Sequence, residues 1–240
     1  RLTHLTLTRN QLFRDPKCVR LLMKLLPRQP LRHLDLSWNG LNDELIAYLG
    51  RNCLGQLSLL QSLRLSGNPI GPQGLQVLIH RGQLHRISLV DLWDCDIGDQ
   101  GAERLGQVMA QGQARFQRLI LHMNGIGNAG IQGLVRGIMH CPTLTELDLN
   151  CNNIDHEGIE TLSRALTYSK IERLNLRANQ IGPLGAKSLA MIVKDTSLRK
   201  LLLCHNGIGD EGAGYLASAL TGTTTTTAAT TTATTSTDQG

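Results

Sequence analysis

The sequence predicts an α/β solenoid, in which stacked strand–helix units form a horseshoe with parallel strands on its concave face and helices on its convex face. Two observations predict this fold. A phrase resembling L-x-x-L-x-L-x-x-N/C recurs eight times, with closing positions 27 to 29 residues apart, and such a period is typical of repeat architectures. Apolar residues with helical spacing follow each phrase. We call the closing positions the marker positions: Asn10, Asn39, Asn68, Cys95, Asn124, Asn152, Asn179 and Asn206.

Each phrase predicts a short strand, because apolar and polar residues alternate along it. Residues three and five positions before a marker then enter the core, and those two, four and six positions before it line the concave face. The marker asparagines offer donors and an acceptor to backbone groups that would otherwise be buried without partners. We expect a structural ladder, modestly weakened at Cys95, whose thiol is a weaker donor.

The second half of each unit predicts a helix, as Ile131, Leu134 and Ile138 illustrate by their spacing along one helical face. Helix starts are indicated by short polar acceptors four residues after the marker: Asp43, Asp99 and Asp210. A glycine six residues after the marker predicts close approach to the neighbouring backbone in six units: Gly74, Gly101, Gly130, Gly158, Gly185 and Gly212.

Unequal spacing of the two layers predicts the curvature. Adjacent strands lie about 4.8 Å apart, whereas adjacent helices need roughly 8–10 Å, so the stack bends with its strands inside. Residues 1–220 form the predicted repeat domain. Residues 221–240 contain twelve threonines and no large apolar residue, which predicts a disordered tail.

The charge and cysteine content narrow the classes of partner. Residues 1–33 hold eight Lys and Arg and one acid, which we interpret as a solvated face. These cations do not continue as a basic stripe along several units, which argues against nucleic-acid binding. No apolar run is long enough for a membrane span, and we expect no signal peptide. Six scattered cysteines without a CxxC pair indicate reduced thiols. We expect a cytoplasmic monomer.

The candidate catalytic and cofactor-binding motifs in this sequence are incomplete. Residues 182–188 resemble a phosphate loop, but Ala186 stands where a glycine must precede the lysine. His156 and Glu157 lack the second histidine of a zinc-protease motif, and no nucleophile motif is recognisable. We therefore predict a non-enzymatic protein without a cofactor, a metal or a small-molecule substrate.

The register identifies the concave side chains, which are mostly polar. The exceptions cluster in the fourth and fifth units, where an exposed tryptophan among aliphatic and charged residues is typical of a binding hot spot. The predicted partner site comprises Leu89, Asp91, Trp93, Arg118, Ile120 and His122. Arg173 and Arg177 would either offer positive charge to an acidic partner or form a solvated face. Trp38, one residue before its marker, is interpreted as loop packing, with contact at the rim of the face as the alternative.

Three junctions, NGIGNAGIQGL at 124–134, NNIDHEGIETL at 152–162 and NGIGDEGAGYL at 206–216, resemble those of ribonuclease-inhibitor-type leucine-rich repeats. The resemblance covers residues 2–220 and implies a leucine-rich-repeat horseshoe. It also implies the functions of that class, which include ligand sensing in NOD-like receptors, enzyme inhibition, scaffolding and GTPase activation by Ran regulators.

These observations favour a domain that binds a protein partner on its concave face. Two alternatives stay open. The first is a GTPase activator of the Ran-regulator type, which needs no active site of its own. The second is a ligand-sensing segment of a larger NOD-like receptor.

Overall fold

The computed structural model describes residues 1–12, 16–81 and 83–221. Within these residues, eight parallel strands form one open sheet in chain order, and a helix follows each strand. The strands are β1 His4–Thr6, β2 His33–Asp35, β3 Ser62–Arg64, β4 Leu89–Asp91, β5 Arg118–Ile120, β6 Glu146–Asp148, β7 Arg173–Asn175 and β8 Lys200–Leu202. The helices are α1 Pro16–Leu25, α2 Asp43–Asn52, α3 Gly71–His80, α4 Gly98–Ala110, α5 Asn128–His140, α6 His156–Leu166, α7 Gly182–Ile192 and α8 Gly209–Thr221. The predicted α/β solenoid is confirmed.

The strands pair at equivalent positions of successive units. Leu119 pairs with Val90 on one side and with Leu147 on the other, and all three are buried. Because side chains alternate along a strand, the residues on either side of each buried one point to the opposite face. The register read from the marker positions therefore holds along the sheet.

The core is aliphatic, as the scarcity of aromatic residues requires. It runs from Val19 in α1 to Leu189 in α7, and it is dominated by leucine and isoleucine. Among the described residues, Phe116, just before β5, is the largest fully buried side chain. Each unit contributes a few such residues and covers those of its neighbour, which is how a repeat protein without a central core is stabilised.

Helix starts fall where they are predicted, but two of the acceptors act differently. The side chain of Asn42, not Asp43, caps α2 by accepting from the Leu45 amide at 3.0 Å. Asp99 lies in the first turn of α4, yet its carboxylate accepts from amides of the next unit, Gly127 at 2.7 Å and Gly130 at 2.9 Å. The Asp99 carboxylate therefore joins α4 to the start of α5. The spacing of residues within one unit does not reveal such a contact between helices.

Glycines bring α4 and α5 into backbone contact. A Cβ on Gly137 would lie 2.5 Å from the Gly106 carbonyl oxygen, and one on Gly133 would lie 2.6 Å from the Glu103 Cα. Among the glycines predicted from spacing, Gly130 confirms the expected approach, because its Cβ would stand 3.1 Å from the Cα of Asp99. Any larger residue at these positions would force the two helices apart.

Short 3-10 turns follow four of the helices in the described part of the chain: Leu26–Arg28, Leu54–Gln56, Leu84–Arg86 and Val193–Asp195. They shape the edge of the solenoid where the chain enters the next strand. No helix among the described residues is both long enough and apolar enough to cross a membrane. The disordered tail is predicted for residues 221–240. Thr221 is instead the last residue of α8, and residues 222–240 lie outside the described residues.

Candidate functional site

The marker asparagines form the expected ladder beneath the concave face. The Asn124 side-chain oxygen accepts from the Cys95 amide at 3.0 Å and the Ile97 amide at 3.3 Å, both in the preceding unit. Its amide nitrogen donates to the carbonyls of Leu92 at 2.7 Å and His122 at 3.1 Å. One buried side chain thus satisfies four backbone groups from two units, and this fixes where the residues before each marker emerge.

Cys95 interrupts this ladder by removing an acceptor. Its sulfur still donates to the Leu65 carbonyl at 3.3 Å, so the donor role that we expected to weaken is largely retained. It lacks the side-chain oxygen that accepts two amides of the preceding unit at Asn39, Asn68, Asn124 and Asn152. The Asn68 amide is left with the sulfur, a weak acceptor, and the Ile70 amide turns to the Asn68 carbonyl at 2.7 Å. Burial raises the pKa of the Cys95 thiol to about 12.

The concave face carries an aromatic ridge, which we define as Trp38, Trp93 and His122. Trp93 and His122 each stand two residues after their strands, β4 and β5. Because the strands pair in register, the two rings stack with centroids 5.1 Å apart and planes at 14°, close to the spacing of adjacent strands. Trp38 meets Trp93 edge to face, with centroids 5.7 Å apart and an angle of 87°. Both geometries are favourable for aromatic pairs.

Gly67 explains how Trp38 reaches a strand two units away. Trp38 has a φ of 59°, and its indole lies over Gly67 so closely that a Cβ there would overlap the ring. The Arg9 guanidinium lies 5.4 Å from the centre of the same indole, a cation–π contact. The interpretation of Trp38 as loop packing is thus incomplete, because its ring also extends the ridge toward the amino terminus.

Trp93 is the most exposed part of the ridge. Its side chain is 36% exposed, although it contacts an aromatic ring on either side. His122 continues toward Asn150, whose side-chain amide lies 3.4 Å from its ring nitrogen. The ridge therefore presents a continuous row of aromatic rings to solvent. Contacts between adjacent side chains, rather than burial in the core, hold these rings in place.

Asp91 serves the turn that precedes the ridge. Its carboxylate accepts from the Ser66 hydroxyl at 2.7 Å and from the Trp93 amide at 3.2 Å. The two aliphatic residues of the predicted site, Leu89 and Ile120, are half-buried on β4 and β5. They surround Asp91 and continue the apolar surface of the ridge along the strands.

A charged cluster, defined as Arg118, Glu146 and Arg173, lies on the neighbouring strands. Arg118 Nε is 2.8 Å from the Glu146 carboxylate, and Arg173 Nη1 is 3.9 Å from it. One carboxylate is therefore shared by two guanidinium groups, which leaves the cluster with a net positive charge. Arg177 is exposed two residues after β7, and the described residues give it no ion pair with a side chain.

Histidines and arginines dominate the amino-terminal part of the face. His4 and His33 stack with ring centroids 4.2 Å apart. Burial lowers the pKa of His33, and the nearby charges of His4, Arg32 and Arg64 lower it further. This part of the surface therefore disfavours additional positive charge.

The structure thus brings six of the predicted site residues onto adjacent strands and places the other two further along the sheet. Sequence reasoning left two contributors out of the site, Trp38 and Glu146. The alternation of Arg118, Glu146 and Arg173 at equivalent positions was a readable signal for the ion pairs. No group of three His, Cys, Asp or Glu side chains in the described part of the chain could hold a metal ion. The geometry offers apolar contact, stacking and charge pairing.

A known protein family matches the repeated segments of this chain. The family described as Leucine Rich repeat matches residues 29–44, 56–78, 89–106, 140–163, 169–190 and 194–217. These segments make up just over half of the chain.

Curated relatives match over part of their length. Human NACHT, LRR and PYD domains-containing protein 13 is 30% identical over 155 residues, which are 64% of this chain and 15% of the relative. Human NACHT, LRR and PYD domains-containing protein 12 is 30% identical over 154 residues, which are 63% of this chain and 14% of the relative. The chain therefore spans only a small share of the length of these relatives.

Among solved structures, an internalin from Listeria monocytogenes aligns with 90% of this chain and 58% of its own, with a TM-score of 0.52 and 20% identity. At this identity the likeness shows the fold alone. It agrees with the open sheet of parallel strands described above.

Proposed function

Because this chain belongs to the leucine-rich repeat family, we propose that it is a non-enzymatic domain that binds a protein partner through the aromatic ridge of its concave face. The observation that carries the proposal is the exposed indole of Trp93, stacked on His122 and flanked by half-buried Leu89 and Ile120. Tryptophan in such a setting contributes strongly to protein interfaces, because it supplies a large rigid surface at little cost in side-chain entropy.

The surroundings of the ridge favour a partner that is apolar at its centre and acidic at its edges. Arg9 lies over Trp38 at one end of the ridge. On the strands at the same end His4 stacks on His33, and Arg64 stands between Asp35 and Asp91 in the register, so Arg9 carries the positive charge at this end of the ridge. Such a charge arrangement would steer an acidic rim of the partner toward the face while the indole contacts an apolar patch.

The test is truncation of the indole, Trp93→Ala. Capture from native extract, followed by mass spectrometry, should identify proteins that the unmodified chain retains and the variant loses. Titration of a recovered partner should then show a loss of about 2 kcal/mol in binding free energy, which is roughly a 30-fold weaker affinity. Circular dichroism and thermal unfolding should be unchanged, because the side chain does not belong to the buried core.

Tyr168→Ala provides a matched control. It also removes an exposed aromatic ring, since Tyr168 is 71% exposed, but from the loop that follows α6. Its captured proteins and affinities should equal those of the unmodified chain. Equal affinity of the partner for Trp93→Ala and for the unmodified chain would contradict the proposal.

A second candidate rests on similarity to the NACHT, LRR and PYD domains-containing proteins. In that case the chain would be the ligand-sensing segment of a larger receptor. Five described cysteines are free thiols, which fits the reducing cytoplasmic location that we propose for either role. Detection of a nucleotide-binding domain in the same full-length transcript would favour the receptor role over a free-standing scaffold.

A further inference from the structure

A second recessed surface lies on the edge of the sheet opposite the aromatic ridge. The ridge residues follow their strands, whereas this cleft is lined by residues that precede strands, including Arg32 before β2 and Gln61 before β3. In a parallel sheet the two ends of the strands gather on opposite edges. The cleft has a volume of about 230 Å³ and reaches across units two to five.

Three arginines line this cleft: Arg32, Arg86 and Arg115. Ser58, Gln61 and Gln83 add uncharged polar groups, and none of its described lining residues is an aspartate or glutamate. None of the three guanidinium groups takes part in an ion pair within the described residues. A recess with three cations and no carboxylate differs from the charged cluster on the strands, where Glu146 pairs with two arginines.

The backbone around the cleft is held by hydrogen bonds between units. The Arg32 carbonyl accepts from the Gln61 amide at 2.8 Å, and the Arg115 amide donates to the His85 carbonyl at 2.7 Å. Arg86 donates from its guanidinium to the Gln83 side-chain oxygen. These bonds fix the backbone positions from which the three arginine side chains extend, and the bond to Gln83 also orients the Arg86 guanidinium, which lowers the cost of ordering the cleft when a ligand arrives.

Gln83 adopts a conformation that side chains seldom occupy. Its φ of 53° is the only positive value at a described non-glycine residue that does not adjoin a marker position. Gln83 precedes the 3-10 turn Leu84–Arg86, and its side-chain oxygen accepts the hydrogen bond from Arg86. Backbone strain of this kind persists where the surroundings over-determine it, and it concentrates at functional sites.

We propose that this arginine cleft binds a small, multiply charged phosphate-type anion. Guanidinium groups pair with phosphate oxygens through two parallel hydrogen bonds, and three of them in one recess match several negative charges. Binding would also relieve the mutual repulsion of the cations. The same chemistry is offered by a soluble phosphate ester and by the phosphorylated headgroup of a lipid. This site is independent of the proposed partner site, because it uses the opposite edge of the sheet.

The test measures binding by calorimetry with two soluble probes, inorganic pyrophosphate and inositol trisphosphate. A vesicle arm compares neutral phosphatidylcholine with the same lipid containing a phosphatidylinositol bisphosphate. We expect saturable binding in at least one arm. Binding of the soluble probes assigns a free anion, and binding confined to the charged vesicles assigns a headgroup. Absence of binding in both arms at about 1 mM probe would overturn the proposal.

Substitutions then locate the site. Arg86→Gln or Arg115→Gln alone should weaken binding roughly tenfold, and the pair together roughly a hundredfold. Arg86→Lys keeps the charge but loses the planar guanidinium that makes two parallel hydrogen bonds, so its affinity should lie between those of the unmodified chain and Arg86→Gln. Arg104→Gln removes the same charge from the exposed side of α4 and should change the affinity by less than about twofold.

An equal loss for Arg104→Gln and Arg115→Gln would show general charge attraction and would also overturn the proposal. Thermal unfolding of each variant checks the fold, and the single substitutions suffice if the pair does not fold. Capture of the protein partner described above should be unaffected by Arg115→Gln. Failure of one proposal is thereby distinguishable from failure of the other.

Discussion

The aromatic ridge and the charged cluster lie on adjacent strands of one face, yet their exposed groups are balanced in opposite ways. In the charged cluster, Arg118 and Arg173 share the carboxylate of Glu146, so much of its charge is already paired within the chain and one positive charge is left over. In the ridge, the rings of Trp93 and His122 stack on each other but leave apolar surface facing solvent. Covering the ridge with a partner should therefore contribute more binding free energy than covering the charged cluster, because apolar surface gains free energy when it leaves water and exposed ion pairs gain little.

The two regions also differ in what lies beneath them. The charged cluster stands over an unbroken ladder in which the Asn152 oxygen accepts from the amides of Asn124 at 3.1 Å and Ile126 at 3.0 Å. The ridge stands beside the interruption at Cys95, where Asn68 loses its usual acceptor. The surface with the greater capacity for binding is thus supported by the weaker stretch of the ladder, and substitutions in the ladder can test whether that matters.

The largest effect is expected for Asn124→Ala. This change would leave the buried amides of Cys95 and Ile97 and the carbonyl of Leu92 without partners. Buried groups left unpaired cost about 1–3 kcal/mol each, and partial relaxation should bring the total loss of unfolding free energy to about 3 kcal/mol. Urea unfolding followed by circular dichroism measures it.

Two further variants make this result interpretable. Asn153→Ala removes an exposed asparagine and should change the unfolding free energy by less than about 0.5 kcal/mol. Asn152→Ala, beneath the charged cluster, should cost about as much as Asn124→Ala. A loss below about 1 kcal/mol for Asn124→Ala would mean that the ladder is not what supports the ridge.

An intermediate effect of opposite sign is expected for Cys95→Asn. An amide at this position restores the missing acceptor for Asn68 and Ile70 and keeps a donor for the Leu65 carbonyl. Repair of these bonds should raise the unfolding free energy by about 1 kcal/mol, which a higher Tm would report. Cys204→Asn, at an exposed cysteine, should leave Tm unchanged. A lower Tm for Cys95→Asn would show that the backbone there has adapted to sulfur.

The repeat phrase was sufficient to predict the strands and the ladder, because both recur at fixed positions relative to the marker in successive units. Contacts that occur between only one pair of units were harder to predict. The reach of Trp38 across Gly67 depends on a missing Cβ one unit away, and Asp99 acts on the amides of the following unit. The arginine cleft depends on 3-10 turns that occur in only some units, so the repeat pattern of the sequence does not predict it.

The smallest effect is expected for Glu146→Gln, which removes the shared carboxylate of the charged cluster. The side chains of Arg118 and Arg173 are 47% and 64% exposed, so solvent screens their pairing, and the unfolding free energy should fall by less than about 1 kcal/mol. A double-mutant cycle with Arg118→Gln measures the coupling, and the exposed pair Glu160–Arg164 on α6 is the reference. The coupling should shrink as salt is added. A coupling above about 2 kcal/mol would show that this surface is organised by its charges, and the contrast with the ridge would then rest on apolar area alone.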